Sequence, residues 1–212
     1  MRPHYRTYAL WITLVAVGVI GGTLAQATFG RSTEHPLFLA ADSRCPVGES
    51  ARGYQRAKNI VCYNGQGTPI DAASFRPLEA NFAIDAKYVY FQGSPVPGAD
   101  PKTFHVADDQ TIMAGGNVYA LDEERVFSAC SDCNAPYGIV WELERADPTT
   151  FQVLSREYGT PGYAKDAAQV WFFGAAIEGA DASTFGLLPA GGSHDATDAE
   201  NVFVRGYKQD RI

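Results

Sequence analysis

The chain repeats itself, and the repeat is built from residues that turn and pack. One pattern, Ala-x-Asp-x-x-x-Val-aromatic, starts at Ala83, Ala120, Ala164 and Ala196, with aspartates Asp85, Asp122, Asp166 and Asp198. Its aromatic slot holds Tyr90, Phe127, Trp171 and Phe203. Three copies carry a glycine three residues later (Gly93, Gly174, Gly206), and Cys130 takes that place in the fourth. A second pattern, Asp-x-x-Ser/Thr-Phe, alternates with the first as Asp71–Phe75, Asp100–Phe104, Asp147–Phe151 and Asp181–Phe185. Asp85 to Phe104 and Asp166 to Phe185 are both 19 residues, whereas Asp122 to Phe151 is 29, so one unit carries a ten-residue insert around Cys130–Cys133. Such periodicity is the mark of a repeat architecture whose units bury their faces against one another.

Local rules say what each unit builds. Val89-Tyr90-Phe91 and Val170-Trp171-Phe172 suit strands, and the aspartate before each can fold its side chain back onto the main chain to make a turn. The trailing glycine tolerates the positive φ where a strand reverses. In Asp100-Pro101-Lys102-Thr103-Phe104, Asp100 reads as an N-cap and Pro101 as the first residue of a single helical turn. The expected fold is all-β: an array of short antiparallel hairpins with single capped helical turns between them. Successive strand residues face opposite ways, so Tyr90, Phe127, Trp171 and Phe203 share one side. Buried, they are the core; open, they form a ladder of rings able to stack on sugars or grip a protein.

Residues 1–27 read as an export signal. Arg2 and Arg6 precede an uncharged run that lasts to Arg31, and Ala25-Gln26-Ala27 has the small-x-small form of a cleavage site. The same run is long enough to serve as a single uncleaved membrane anchor. Residues 28–56 then read as a linker and 57–212 as the repeat domain. Either way the body is expected outside the cytoplasmic membrane, in the periplasm or on the membrane's outer face. An oxidising compartment favours disulfides, and the four cysteines, Cys45, Cys62, Cys130 and Cys133, pair most simply as Cys130–Cys133 and Cys45–Cys62. Cys130-x-x-Cys133 also has the spacing of thiol redox and zinc sites. A redox motif belongs at a helix N-terminus, and zinc needs a second ligand pair; neither context surrounds it here.

These landmarks are similar to those of the DKNYY family of bacterial repeat proteins. The resemblance rests on Asp85-Ala-Lys-Tyr-Val-Tyr-Phe91, on Tyr163-Ala-Lys-Asp166, and on Ile177-Glu-Gly-Ala-Asp-Ala-Ser-Thr-Phe185. It implies a β scaffold and an envelope address, and it carries no catalytic residues to transfer.

Chemistry is sparse. Net charge is −7, against a nucleic-acid footprint of clustered Lys and Arg. Ser193-His194-Asp195 has the residue types of a hydrolase triad, but consecutive side chains cannot adopt its geometry. Asp195, Asp198, Glu200 and Asn201 offer oxygens for calcium without the spacing of a known loop. Nothing calls for a cofactor, and no catalytic or metal-ligating set emerges. The expected function is non-enzymatic: an exported module that binds an envelope protein or glycan, or that supports structure. The alternatives are a thiol–disulfide redox protein using Cys130 and Cys133, and an immunity or inhibitor protein against an envelope toxin.

Overall fold

The computed structural model describes residues 40–41, 43–48, 52–107, 117–131, 133, 139–154 and 162–209. The chain divides into two compact units, Met1–Glu34 and His35–Ile212, and every described residue lies in the second. Residues 1–27, which read as an export signal or anchor, fall outside the described residues.

The described residues form an all-β array of five antiparallel sheets, each of four short strands. The first holds β1 (Ala40–Ala41), β2 (Tyr54–Ala57), β3 (Ile60–Tyr63) and β4 (Gln66–Gly67), in the order β1-β4-β3-β2. The other four are meanders in sequence order. The second runs through β5 (Arg76–Pro77), β6 (Phe82–Ile84), β7 (Val89–Phe91) and β8 (Ser94–Pro95). The third runs through β9 (His105–Val106), β10 (Asn117–Leu121), β11 (Val126–Cys130) and β12 (Ile139–Glu142). The fourth comprises β13 (Gln152–Val153), β14 (Tyr163–Lys165), β15 (Val170–Phe172) and β16 (Ala175–Ala176). The fifth comprises β17 (Gly186–Leu187), β18 (Ala196–Thr197), β19 (Val202–Val204) and β20 (Tyr207–Gln209).

Alternation along the central strands buries both faces of the inner sheets. Ala83 and Tyr90 of the second sheet pack with Val61 and Ile70. Phe82, Ile84, Val89 and Phe91 point the other way and pack with Ala120 and Phe127 of the third sheet. Tyr119 and Val126 meet Ala164 and Trp171, and Tyr163 and Val170 meet Ala196 and Phe203. The sheets therefore stack in chain order, with a separate apolar layer between each successive pair. In three of the four connecting turns the phenylalanine is wedged into such a layer between two rings, while Phe75 meets Tyr54. Phe104 lies 5.1 Å from Phe82 and 6.0 Å from Phe127; Phe151 lies 5.5 Å from Tyr119 and 5.8 Å from Trp171. Phe185 does the same between Tyr163 and Phe203. Each buried ring contributes roughly 1.5–3 kcal/mol through area removed from water.

One expectation is corrected. The segments after Asp71, Asp100, Asp147 and Asp181 are hydrogen-bonded turns, and no α-helix occurs among the described residues. Phe104 N–H does donate to the Asp100 carbonyl at 3.0 Å, but the chain passes straight into β9 at His105, so no second helical bond can follow. β1 and most of β2 come from residues 28–56, and Cys45 is bonded to Cys62, so the first sheet draws part of its chain from that stretch. The β2–β3 hairpin closes with the two residues Lys58-Asn59 and lacks the aspartate that marks the other units. That is why Ile60-Val61-Cys62-Tyr63-Asn64-Gly65 reads only as a degenerate copy of the pattern.

Candidate functional site

The aspartates that recur in the sequence act as clasps. Asp85, Asp122, Asp166 and Asp198 are all buried, with 2–6% of their surface exposed. In each, Oδ1 accepts the main-chain N–H groups two and three residues on, at 2.6–2.9 Å: Lys87 and Tyr88, Glu124 and Arg125, Ala168 and Gln169, Glu200 and Asn201. Oδ2 accepts the N–H of the aspartate that opens the preceding turn, Asp71, Asp100, Asp147 or Asp181, at 2.9–3.1 Å. The turn hydroxyl closes the figure. Ser74, Thr103, Thr150 and Thr184 accept the N–H of Ala86, Glu123, Ala167 and Ala199. Both sequence patterns are thus halves of one device that ties a turn to the hairpin of its own unit.

Electrostatics follow from this geometry. Burial alone would raise the Asp85 carboxyl, but N–H groups of Lys87, Asp71 and Tyr88 and the Tyr90 hydroxyl outweigh it and hold the pKa below the usual range. Asp198 is lowered in the same way, against its burial, by Asp181 N–H, the Asn201 side chain and the N–H groups of Glu200 and Asn201. Among the turn aspartates, the Ser74 hydroxyl first lowers Asp71, the Thr149 hydroxyl lowers Asp147, and the Ser183 hydroxyl lowers Asp181. Oxygens so occupied are poor proton acceptors, and their chemistry is spent on the backbone.

A second set of bonds joins one sheet to the next. Tyr54 Oη accepts the Gly93 N–H (2.7 Å), Tyr119 Oη the Gly174 N–H (2.9 Å) and Tyr163 Oη the Gly206 N–H (2.7 Å). These glycines follow Gln92, Phe173 and Arg205, and both residues of each pair have positive φ, as type I′ hairpin turns require. Phe82 occupies the tyrosine position in the second sheet, facing Phe91 as Tyr163 faces Phe172. The next sheet there has no such turn, because Cys130 stands in the glycine slot. The hydroxyl is missing where its partner is missing. This coupling was not read from the sequence, although the paired exceptions, Phe82 and Cys130, mark it.

The third sheet is where the repeat departs from itself, and the register accounts for the insert residue by residue. Ser128↔Trp141 corresponds to Phe172↔Ala175. Beyond it the hairpin gains two pairs, Ala129↔Val140 and Cys130↔Ile139, and residues 131–138 replace a two-residue turn. Cys130 is bonded to Cys133, closing the start of that loop. Asn81 Nδ2 of the second sheet donates to Ser131 Oγ at 3.4 Å. Beside Asn81 lies an open cleft of about 440 Å³, lined also by Arg52, Tyr63 and Asn64.

The remaining candidates fall into place. Tyr90, Phe127, Trp171 and Phe203 are 0–2% exposed and sit in the layers between sheets, so their rings offer no open ladder. Cys45–Cys62 packs with Ile60 on the face of the first sheet turned away from the second, where Cys62 holds the aromatic slot. Ser193 Oγ meets His194 Nδ1 at 3.0 Å, but Asp195 points elsewhere, accepting the Tyr163 hydroxyl and the Arg205 N–H at 2.8 Å each. The Asp198 oxygens are taken by Asp181, Glu200 and Asn201, which leaves them committed to main chain and amide. Among the described residues no group of three or more His, Cys, Asp or Glu is placed to hold a metal ion.

The architecture and its clasps define a class: an all-β stack of four-stranded meanders held by buried aspartates. The profile of the DKNYY family matches residues 54–207, and the chain belongs to that family. No curated protein and no solved structure matches it.

Proposed function

We propose that this is an exported, non-enzymatic interaction module of the bacterial envelope, and that the stapled hairpin of its third sheet carries recognition. One observation carries the reading. The repeated aspartates and turn hydroxyls are consumed in building the stack, whereas the β11–β12 hairpin of the third sheet is ten residues longer than its counterparts and carries Cys130–Cys133 at the start of the extension. Elaboration of a loop on a rigid scaffold is the usual way a binding function is added. Two disulfides and the N-terminal segment after Arg2 and Arg6 support an oxidising location. Cys130 ends a β-strand, and among the described residues no helix begins beside it, which argues for a staple over a redox centre.

The register supplies the test. Replacing residues 129–140 by Asn-Gly restores the short turn of the other units. An envelope protein or glycan retained by the native chain should be lost by the shortened one, with the melting transition preserved. Equal retention by both chains would remove the hairpin from the binding role. Turnover of peptidoglycan or of disulfide substrates by the native chain would overturn the non-enzymatic reading.

A further inference from the structure

Most edges of the stack are protected against pairing. β9, β13, β16 and β17 have two residues each, and β5 and β8, equally short, carry Pro77 and Pro95. β2 and β20 carry Arg56 and Lys208. Short length, proline and charged residues are the usual devices that keep an edge from templating another strand. β12 has only the terminal Glu142 among them: four residues long, it reads Ile-Val-Trp-Glu, and Ile139 is 41% exposed.

Its free side follows from the register. Leu143 N–H donates to the Val126 carbonyl at 2.8 Å, which sets Ile139 and Trp141 bonding toward β11. The N–H and C=O of Val140 and of Glu142 therefore point away from the sheet. In β8 the position equivalent to Glu142 is Pro95, since Tyr90↔Pro95 matches Phe127↔Glu142. The second sheet thus blocks the direction that the third leaves open.

We infer that β12 pairs with β12 of a second copy of this chain, antiparallel about a two-fold axis through Trp141. In that register Val140 lies opposite Glu142 of the second copy and the reverse, so all four outward groups of each strand are satisfied in four hydrogen bonds. The two Trp141 residues form the central close pair, where aromatic side chains contribute most. Shifting the pairing to oppose the two Glu142 residues would set like charges face to face and leave Val140 outside the strand. Within each copy Arg125 Nε lies 3.6 Å from Glu142, tempering its charge at the seam. A four-residue edge buries less than the roughly 1,000 Å² of a stable interface, so the dimer is weak and assembles with concentration.

The test is sedimentation of the full chain in mild detergent from about 1 µM to 1 mM, beside Glu142→Pro. That variant places proline where β8 already holds one, so the sheet tolerates it. The native chain should pass from monomer to dimer across this range, and the variant should stay monomeric with an unchanged melting transition. In the native dimer the Val140 and Glu142 amides should exchange at least tenfold more slowly than in the monomer, a readout that needs no variant. A native chain monomeric throughout, a variant that dimerises equally, or amides left unprotected in the dimer would each overturn the pairing. So would protection of those amides by a foreign extended peptide while the chain itself stays monomeric.

Discussion

Tyr119 and Gly174 stand 55 residues apart in the chain and meet in a 2.9 Å hydrogen bond, phenol oxygen to main-chain N–H. The same hydroxyl donates to the Gly162 carbonyl at 3.1 Å, so one buried side chain fastens both ends of the neighbouring sheet's central hairpin. Burial pushes the Tyr119 hydroxyl far above its ordinary pKa, which keeps it protonated and able to donate as well as accept.

Tyr119→Phe should therefore destabilise the chain by about 1–3 kcal/mol, because Gly174 N–H and Gly162 C=O lose their partner in a dry layer. The reciprocal change, Phe82→Tyr, should also destabilise, since the next sheet has no I′ glycine to receive its hydroxyl. Urea unfolding of both variants checks the pair; a stabilising Phe82→Tyr would show that the tyrosine–glycine correspondence is incidental.

The clasp predicts a steeper loss. Asp122 accepts N–H groups from Asp100, Glu124 and Arg125, and it is 2% exposed. Asp122→Ala strands three donors and should cost about 3–5 kcal/mol. Asp122→Asn keeps one acceptor oxygen and should fall between the two. Denaturant midpoints decide, and an alanine variant within about 1 kcal/mol of native would deny the clasp its structural role.

How far the sequence foretold this is clearest at the aspartates. Their recurrence beside Val-aromatic pairs made them turn residues, and each does close a hairpin. What could not be read was the second oxygen. It reaches an aspartate 14–22 residues earlier, a distance no local rule spans. The rings followed the same division: period-two alternation gave Tyr90, Phe127, Trp171 and Phe203 a common side, but only the stacking of whole sheets shows that side closed. The first sheet shows in the sequence only as a degenerate copy, Ile60-Val61-Cys62-Tyr63-Asn64-Gly65, because Lys58-Asn59 turns it without an aspartate. The turn after Asp100 looks in sequence like a capped helical turn because an N-cap and an Asx-turn use the same side-chain bond, here Lys102 N–H to Asp100 Oδ1 at 3.0 Å.

Glycines separate two costs. Gly174 has φ +78°, and a Cβ there would lie 2.6 Å from Ser128 Oγ and 2.7 Å from Trp141 Cζ2. Gly179 has φ +73° with nothing within 4 Å of the added carbon. Gly179→Ala should cost about 1 kcal/mol from backbone strain alone, and Gly174→Ala clearly more, because two packed side chains must also move. Thermal melts of the two variants measure the difference, and equal shifts would mean that the third and fourth sheets do not press together at this turn.

Acid should open the stack. Asp71, Asp85, Asp147, Asp181 and Asp198 all have pKa values below the ordinary carboxylate value, the turn aspartates through side-chain hydroxyls and the buried pair through N–H bonds that overcome burial. A carboxyl depressed in the folded state stabilises it in full above the unfolded value of about 3.9, and that stability drains away as pH falls through the folded value. The clasp contribution is thus whole at neutral pH and is lost below about pH 4, where several units weaken together. Tyr54, Tyr90 and Tyr119 act at the other end. Burial raises all three, so what they add is complete below about pH 10 and is lost as pH climbs beyond it. Calorimetry in steps from pH 7 to pH 2.5 should show the melting temperature dropping steeply only below about pH 4. A melting temperature unchanged at pH 2.5 would mean that the carboxylates are bystanders and that the rings alone hold the sheets in register.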